Sequence, residues 1–179
     1  TINGNISLGT GTLTKTGNNS VTLNGANTYG SAFINTGVLY FQQAAAMGGT
    51  GANITIQDNG VAVRNGTDLD SLMLRVNTAS TGAVAFGGSS TTASNALDMT
   101  SHPSLSIGSK STLTYSGTIT PGGGNYRFGG GGGSLTVSST LTGANGLIIN
   151  DAQGGAVILT GTRTYTGYTV VNSGTLRVD

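Results

Sequence analysis

Apolar residues alternate with Thr, Ser and Asn in short runs along this chain, and most runs end at Gly or Asn. Residues 2–8 set Ile2, Ile6 and Leu8 among polar neighbours, residues 11–16 (GTLTKT) follow, and after Gly17-Asn18-Asn19 comes the run 20–23. A period of two bounded by turn-forming residues is the signature of a half-buried β-strand. The pattern resumes at 83–86, 105–107, 112–115 and 135–141. Residues 53–63 (NITIQDNGVAV) read as two strands joined by a type I′ turn at Asp58-Asn59-Gly60. One stretch changes period. Leu69, Leu72, Met73 and Val76 fall at i, i+3, i+4 and i+7, which predicts about two turns of helix with Asp68 as N-cap, lying against the β structure. Ala44-Ala45-Ala46-Met47-Gly48-Gly49 reads as a tight corner. Residues 121–133 (PGGGNYRFGGGGG) read as a Gly-rich crossing whose only large side chains are Tyr126 and Phe128.

The runs recur as a unit. Val21, Leu23, Gly25 and Tyr29 match Val157, Leu159, Gly161 and Tyr165. After one extra residue, Thr166, the match continues through Gly30/Gly167, Ile34/Val171, Asn35/Asn172, Gly37/Gly174 and Leu39/Leu176. With the run before each copy the unit covers 6–41 and 141–178, the mark of a repeat architecture. Strands of roughly 4–6 residues suit coils stacked about 4.8 Å apart rather than one large sheet. The expected fold is all-β: a right-handed parallel β-helix (β-solenoid) with one short helix near 69–76. Residues 1–179 form a single segment, with repeat-like coils at 6–41 and 141–178 and divergent coils over 42–140. Val, Ile, Leu and Phe point inward and Thr and Ser outward. Gly25, Gly37, Gly161 and Gly174 take corners that need φ > 0 or close backbone approach. Asn35 and Asn172 point inward at corners, where their amides can form a ladder along the stack.

Composition supports an ordered β protein. Only 7% of residues are charged, against about 25% in ordinary soluble domains. Such a chain with 32 Gly could be disordered, but 36% hydrophobic residues in alternating runs argue against it. Net charge is +1 and the seven basic residues are scattered, so there is no nucleic-acid footprint. Absence of Cys excludes a disulfide frame and a thiolate metal site. No run of about 18 apolar residues suggests a membrane span, and no signal peptide opens the chain. The opening TINGNISL reads as the interior of something longer.

The two copies resemble the autotransporter-associated β-strand repeat, also called the passenger-associated transport repeat. The first copy supplies Leu13, Lys15, Gly17, Val21, Leu23, Gly25, Asn27, Tyr29, Gly30, Ile34, Gly37 and Leu39; the second supplies Val157, Leu159, Gly161, Tyr165, Gly167, Val171, Gly174 and Leu176. Arg163 stands where the family has Asn, and Asn150 lies near the family Lys position. The motif covers roughly a third of the chain. The resemblance implies a β-helical passenger-type segment, exported and displayed on a bacterial surface, and it carries over no catalytic residues.

Candidate chemistry is sparse. There is no Glu, and Asp68/Asp70, the one close acid pair in sequence, reads as helix N-terminal residues rather than the carboxylate pair of a glycosidase. His102, before Pro103 in a loop, reads as a surface histidine. Asp58-Asn59-Gly60 lacks the further oxygens and the nonapeptide repeat of a calcium site. The glycines of 121–133 lead into a strand (SLTV), not into the helix N-terminus a phosphate cradle needs. Tyr165 matches Tyr29 and is expected to pack at a corner. Tyr126 and Tyr168 are the candidates for ligand contact, by stacking on sugar rings. No catalytic residue, metal or cofactor is implied. The expected role is a structural stalk or spacer of an exported bacterial surface protein, extracellular and without catalysis. Its expected partners are flanking repeats of the same polypeptide or end-to-end copies. The alternative is an adhesin or glycan-binding module using loops around 64–80 and 121–133 on the lateral face. A polysaccharide-cleaving enzyme would need several Asp residues gathered in one groove.

Overall fold

A computed structural model describes residues 1–151 and 153–179. Its strands, in chain order, are β1 (Thr12–Lys15), β2 (Ser20–Leu23), β3 (Ser31–Phe41), β4 (Asn53–Asn65), β5 (Ala83–Gly87), β6 (Thr92–Ala93), β7 (Leu97–Asp98), β8 (Ser106–Ser109), β9 (Thr112–Tyr115), β10 (Ile119–Thr120), β11 (Asn125–Phe128), β12 (Ser134–Val137), β13 (Gly146–Asn150), β14 (Ala156–Leu159), β15 (Thr169–Ser173) and β16 (Thr175–Val178). Among the described residues these strands pair with one another in parallel, and only two isolated bridges, Gly66 with Gly87 and Gly122 with Asn125, are antiparallel. The chain winds through about eight stacked turns of a β-solenoid.

Each turn visits up to three faces. On the first, Leu13, Ala32, Ile54 and Val76 lie in one file, and Leu97 stacks on Ile119. On the second, the file runs Val21, Leu39, Ala62, Val84, Ile107, Phe128, Ile149 and Val171. On the third, Leu113, Leu135, Val157 and Leu176 stack, beside Tyr115, Val137, Leu159 and Val178. These files converge on one continuous core. Leu23, Leu39 and Leu159 are buried, and Leu176, on the last rung, is half-buried against it. Aromatic rings fill the wider middle: Phe86 stacks on Tyr115 with centroids 5.7 Å apart, and Tyr126 on Phe128 at 6.5 Å.

The repeat is a corner flanked by two strands, and both copies build it alike. In the first, Val21 lies under Leu39; in the second, Val157 lies under Leu176. The preceding run pairs back in the same way, β1 with the start of β3 and β13 with β15. Gly37 and Gly174 turn the corner at φ 71° and 81°, a region that L side chains rarely occupy. Gly25 and Gly161 instead lie against a neighbouring turn, where a Cβ would strike the carbonyls of Gly4 and Ser139. The copies nevertheless occupy different faces. The first straddles faces one and two, the second faces two and three.

Lys15 shows how a corner tolerates a buried cation. Its ammonium donates to the carbonyls of Thr16 (2.9 Å), Gly17 (2.5 Å) and Thr36 (3.0 Å), and burial pulls its pKa below the usual lysine range.

Four local expectations are corrected. The helix is a single turn, α1 (Asp70–Met73), because Val76 is taken into a parallel bridge with Ile54. Leu69, Leu72 and Val76 are buried as the periodicity requires, but the N-cap is Leu69, and Asp68 accepts the Asp70 N–H at 2.8 Å in an Asx-type turn. Residues 58–60 form no hairpin turn. β4 runs through them, and its register shifts against β3 so that Ile34 pairs with Ile56 while Thr36 pairs with Asn59. Asn35 and Asn172 are exposed and form no inward ladder; each sits at a register shift of its strand. Residues 121–133 are not a plain crossing, since they contain β11, which turns Tyr126 and Phe128 inward.

The glycines after β11 have a packing role. Alternate residues of β3, β4 and β5 point away from the core, and there Val38, Val61, Val63, Ala83 and Ala85 make a second apolar cluster. Residues 129–132, at φ between 81° and 125°, fold over it. A Cβ at Gly130 would lie 2.5 Å from that of Ala83, and one at Gly131 3.1 Å from that of Ala85. At the other end Tyr40 covers the cluster and donates to Asn65 Oδ1 at 3.0 Å.

Two predictions follow from this packing. At Gly60 a Cβ would meet the Ile34 carbonyl, whereas at Gly4 it meets open space. Gly60→Ala should therefore cost about 2 kcal/mol or more and Gly4→Ala under about 0.5, measured by denaturant unfolding. Burial pushes the Tyr115 hydroxyl up from 10.0 to about 12, with the Asp70 charge adding to the rise. Burial likewise raises Tyr29 well above its ordinary value. A raised tyrosine stabilises the fold fully below pH 10 and loses that contribution as pH climbs through its folded value. Unfolding free energy should decline between about pH 10 and 12, more shallowly in Tyr115→Phe.

Candidate functional site

One lateral groove, of about 430 Å³, lies where α1 faces the segment following β6. Its walls include Asp70, Met73, Leu74, Leu97, Asp98 and His102. The solenoid brings these residues together because α1 stands where other turns place a third-face strand, and the next turn carries β7 and its loop alongside. Leu74 is 89% exposed at the helix C-cap, far more than any other large apolar side chain.

The polar side chains of the lining are Asp70, Asp98, Ser101 and His102. Asp98 Oδ1 accepts the Thr100 N–H at 2.9 Å. That bond, joined by the Thr100 hydroxyl and the nearby His102, holds the Asp98 carboxyl below its usual range, so it is ionised at neutral pH. His102 is not the surface residue the sequence suggests: it is 8% exposed, with Nε2 3.1 Å from the Val76 carbonyl. A carbonyl only accepts, so Nε2 carries a proton. Nδ1 has no partner among the described residues. Neither lysine nor arginine lines the groove. Arg75, next to Leu74, is turned away and donates to the Gly49 carbonyl at 2.6 Å.

The two tyrosines singled out for ligand contact are not brought together. Tyr126 is buried, and its hydroxyl exchanges hydrogen bonds with Thr142 O (3.2 Å) and N (3.1 Å). Its ring is therefore unavailable to stack on a sugar. Tyr168 is 57% exposed and its ring lies over Gly146. Tyr165 is half-buried against the core, as its match to Tyr29 implies, with its hydroxyl 2.7 Å from Thr169 Oγ1. The sequence reading missed Asp98, Leu74 and Leu97. The available signal was the Asp98-x-Thr100 spacing of an Asx-turn, and spacing alone does not show which turn lies beside it.

The groove holds two carboxylates, and among the described residues no group of three His, Cys, Asp or Glu side chains could hold a metal ion. A carboxyl held in its ionised form is a poor general acid. Among the described residues no helix is long and apolar enough to cross a membrane. In comparisons with known proteins the chain matches no family model, no curated protein and no solved structure.

The groove walls differ in their expected tolerance. Leu74→Ser should change unfolding free energy by less than about 0.5 kcal/mol, because that side chain buries almost nothing. His102→Ala should cost about 1–3 kcal/mol, because it empties a buried site and strands the Val76 carbonyl. Chemical denaturation of the two variants checks both.

Proposed function

We propose that this chain is a structural stalk or spacer segment of an exported, autotransporter-like bacterial surface protein, and that it performs no catalysis. The observation that carries the reading is the continuous stack, about eight parallel turns around one apolar core. β15 and β16 each pair with a strand on one side only. Val171 and Val178 continue buried files yet are 48% and 57% exposed, because nothing stacks above them. A rung with unpaired backbone groups and one-sided apolar side chains is a template for another rung. Within the stack each rung is covered by the next coil, and the proposed partners are flanking coils of the same polypeptide or the end of a second copy. The repeat resemblance and the low charge agree with an exported passenger segment.

The test is sedimentation velocity across a concentration series. Association that rises with concentration and disappears in the double variant Val171→Lys/Val178→Lys, with unchanged circular dichroism, supports stacking through this rung. A strictly monomeric chain at high concentration counts against end-to-end association. Display on the cell surface is tested separately, by protease accessibility of the parent protein on intact cells.

A glycan-binding module remains the second reading. It now rests on the exposed Tyr168 ring and no longer on Tyr126. Glycan-array binding that disappears in Tyr168→Ala would favour it.

A further inference from the structure

We propose that Asn24 is a site of spontaneous covalent modification, where the side-chain amide is lost and the residue becomes Asp or isoAsp. The chemistry does not depend on the stalk role. Five Asn-Gly pairs occur in the chain, at Asn3, Asn24, Asn59, Asn65 and Asn145. In such a pair the glycine nitrogen, unhindered by any side chain, attacks the Asn Cγ. A C–N bond forms, the Cγ–Nδ2 bond breaks, and ammonia leaves carrying the glycine amide proton. Water then opens the cyclic imide at either carbonyl. The product has a carboxylate where the amide stood, and opening at the backbone carbonyl routes the main chain through an extra methylene. Ring closure needs a released glycine N–H, an Asn side chain free to swing, and a ψ free to rotate.

The fold meets these needs unequally. Asn59 and Gly60 lie inside β4, with Gly60 paired to Gly37, and the ladder fixes their dihedrals. The Asn65 amide is held from both ends, accepting from the Tyr40 hydroxyl at 3.0 Å and donating to the Gln42 carbonyl at 3.2 Å. The Gly66 N–H donates to the Gly87 carbonyl at 3.0 Å. Asn145 Nδ2 donates to the Thr142 carbonyl at 2.8 Å, and the Gly146 N–H to the Gly124 carbonyl at 2.9 Å. Asn24 differs. It stands just past the end of β2 and is exposed, and among the described residues the Gly25 N–H has no hydrogen-bond partner. Its Nδ2 lies 3.5 Å from Asn3 Oδ1, at the outer limit of a hydrogen bond. The cover that Gly4 gives Gly25 is no obstacle, because the attack takes place within the pair and water is needed only afterwards, at exposed Asn24. Asn24 also has a turn on either side: its N–H donates to the Ile2 carbonyl at 2.9 Å and its carbonyl accepts from Gln43 Nε2. Neither bond engages the Asn24 side chain or the Gly25 nitrogen. An isoAsp there would lengthen the backbone at a corner of the repeat.

The experiment incubates the whole chain, folded and in urea, in mildly alkaline water enriched in heavy oxygen. Peptide mass spectrometry then follows each Asn-Gly pair, since every converted residue takes up one heavy oxygen from the water that opens the imide. In urea the pairs should convert at similar rates, because the same residue follows each Asn. For the folded chain, each initial rate is divided by the rate of the same pair in urea. On that scale Asn24 should convert at least about tenfold faster than Asn59, Asn65 or Asn145, whose reaction must wait for local opening. Fragmentation of the Asn24 peptide should show isoAsp beside Asp. The proposal is overturned if folded Asn24 converts no faster than Asn65 or Asn145, or if it takes up no heavy oxygen while the chain in urea converts fully.

Discussion

Parallel stacking at a fixed spacing governs this molecule. Successive rungs are tied by backbone hydrogen bonds about 4.8 Å apart, so each inward side chain has only that height to fill. Each corner must also turn without a Cβ colliding with the rung beside it. The file Val21, Leu39, Ala62, Val84, Ile107, Phe128, Ile149, Val171 obeys the first condition while changing residue size. Small Ala62 sits where Phe41 and Phe86 take more of the interior, and Phe128 is set against Tyr126. Gly25, Gly37, Gly60, Gly161 and Gly174 obey the second, each lying where a methyl group would reach a neighbouring turn. A stack of this kind needs little charge, because its backbone satisfies itself along the axis.

The same constraint explains what could be read from the sequence. Corner glycines and inward apolar residues recur with the turns, and so the repeat, the parallel solenoid and the four glycines at 25, 37, 161 and 174 were legible. Errors arose where a residue's role depends on the turn next to it. Asp58-Asn59-Gly60 has the local chemistry of a hairpin, but β3 alongside holds it extended in a parallel pairing. Residues 69–76 have helical period, but Ile54 captures Val76 and ends the helix after one turn. His102 sits in a loop sequence, yet the Val76 carbonyl of the preceding turn draws its ring inside. Tyr126 looked free beside glycines, but its strand pairs with β13 and turns it inward.

Glycine does two different things here. At Gly37 and Gly174 it permits a conformation. In residues 129–132 it also permits contact, because only a chain without side chains can lie flat on Val61, Ala83 and Ala85. An apolar strip on the outside of a solenoid would otherwise invite lateral association. Glycine and Tyr40 cover that strip. The exposed apolar side chains of the last rung, Val171 and Val178, then stand at the end of the axis.

The end rung and the groove beside α1 differ in kind. The end rung repeats the layers beneath it, with Val171 and Val178 in the files of the core. The groove does not. Its turn has exchanged a strand for a helix, so the stacking rule no longer dictates which side chains stand outward. Asp70, Asp98 and the exposed Leu74 stand together there. A uniform stack gives every turn the same exterior. The exterior differs at the turn where the helix interrupts the third face, and the axial pairing of β4 with its neighbours is kept there.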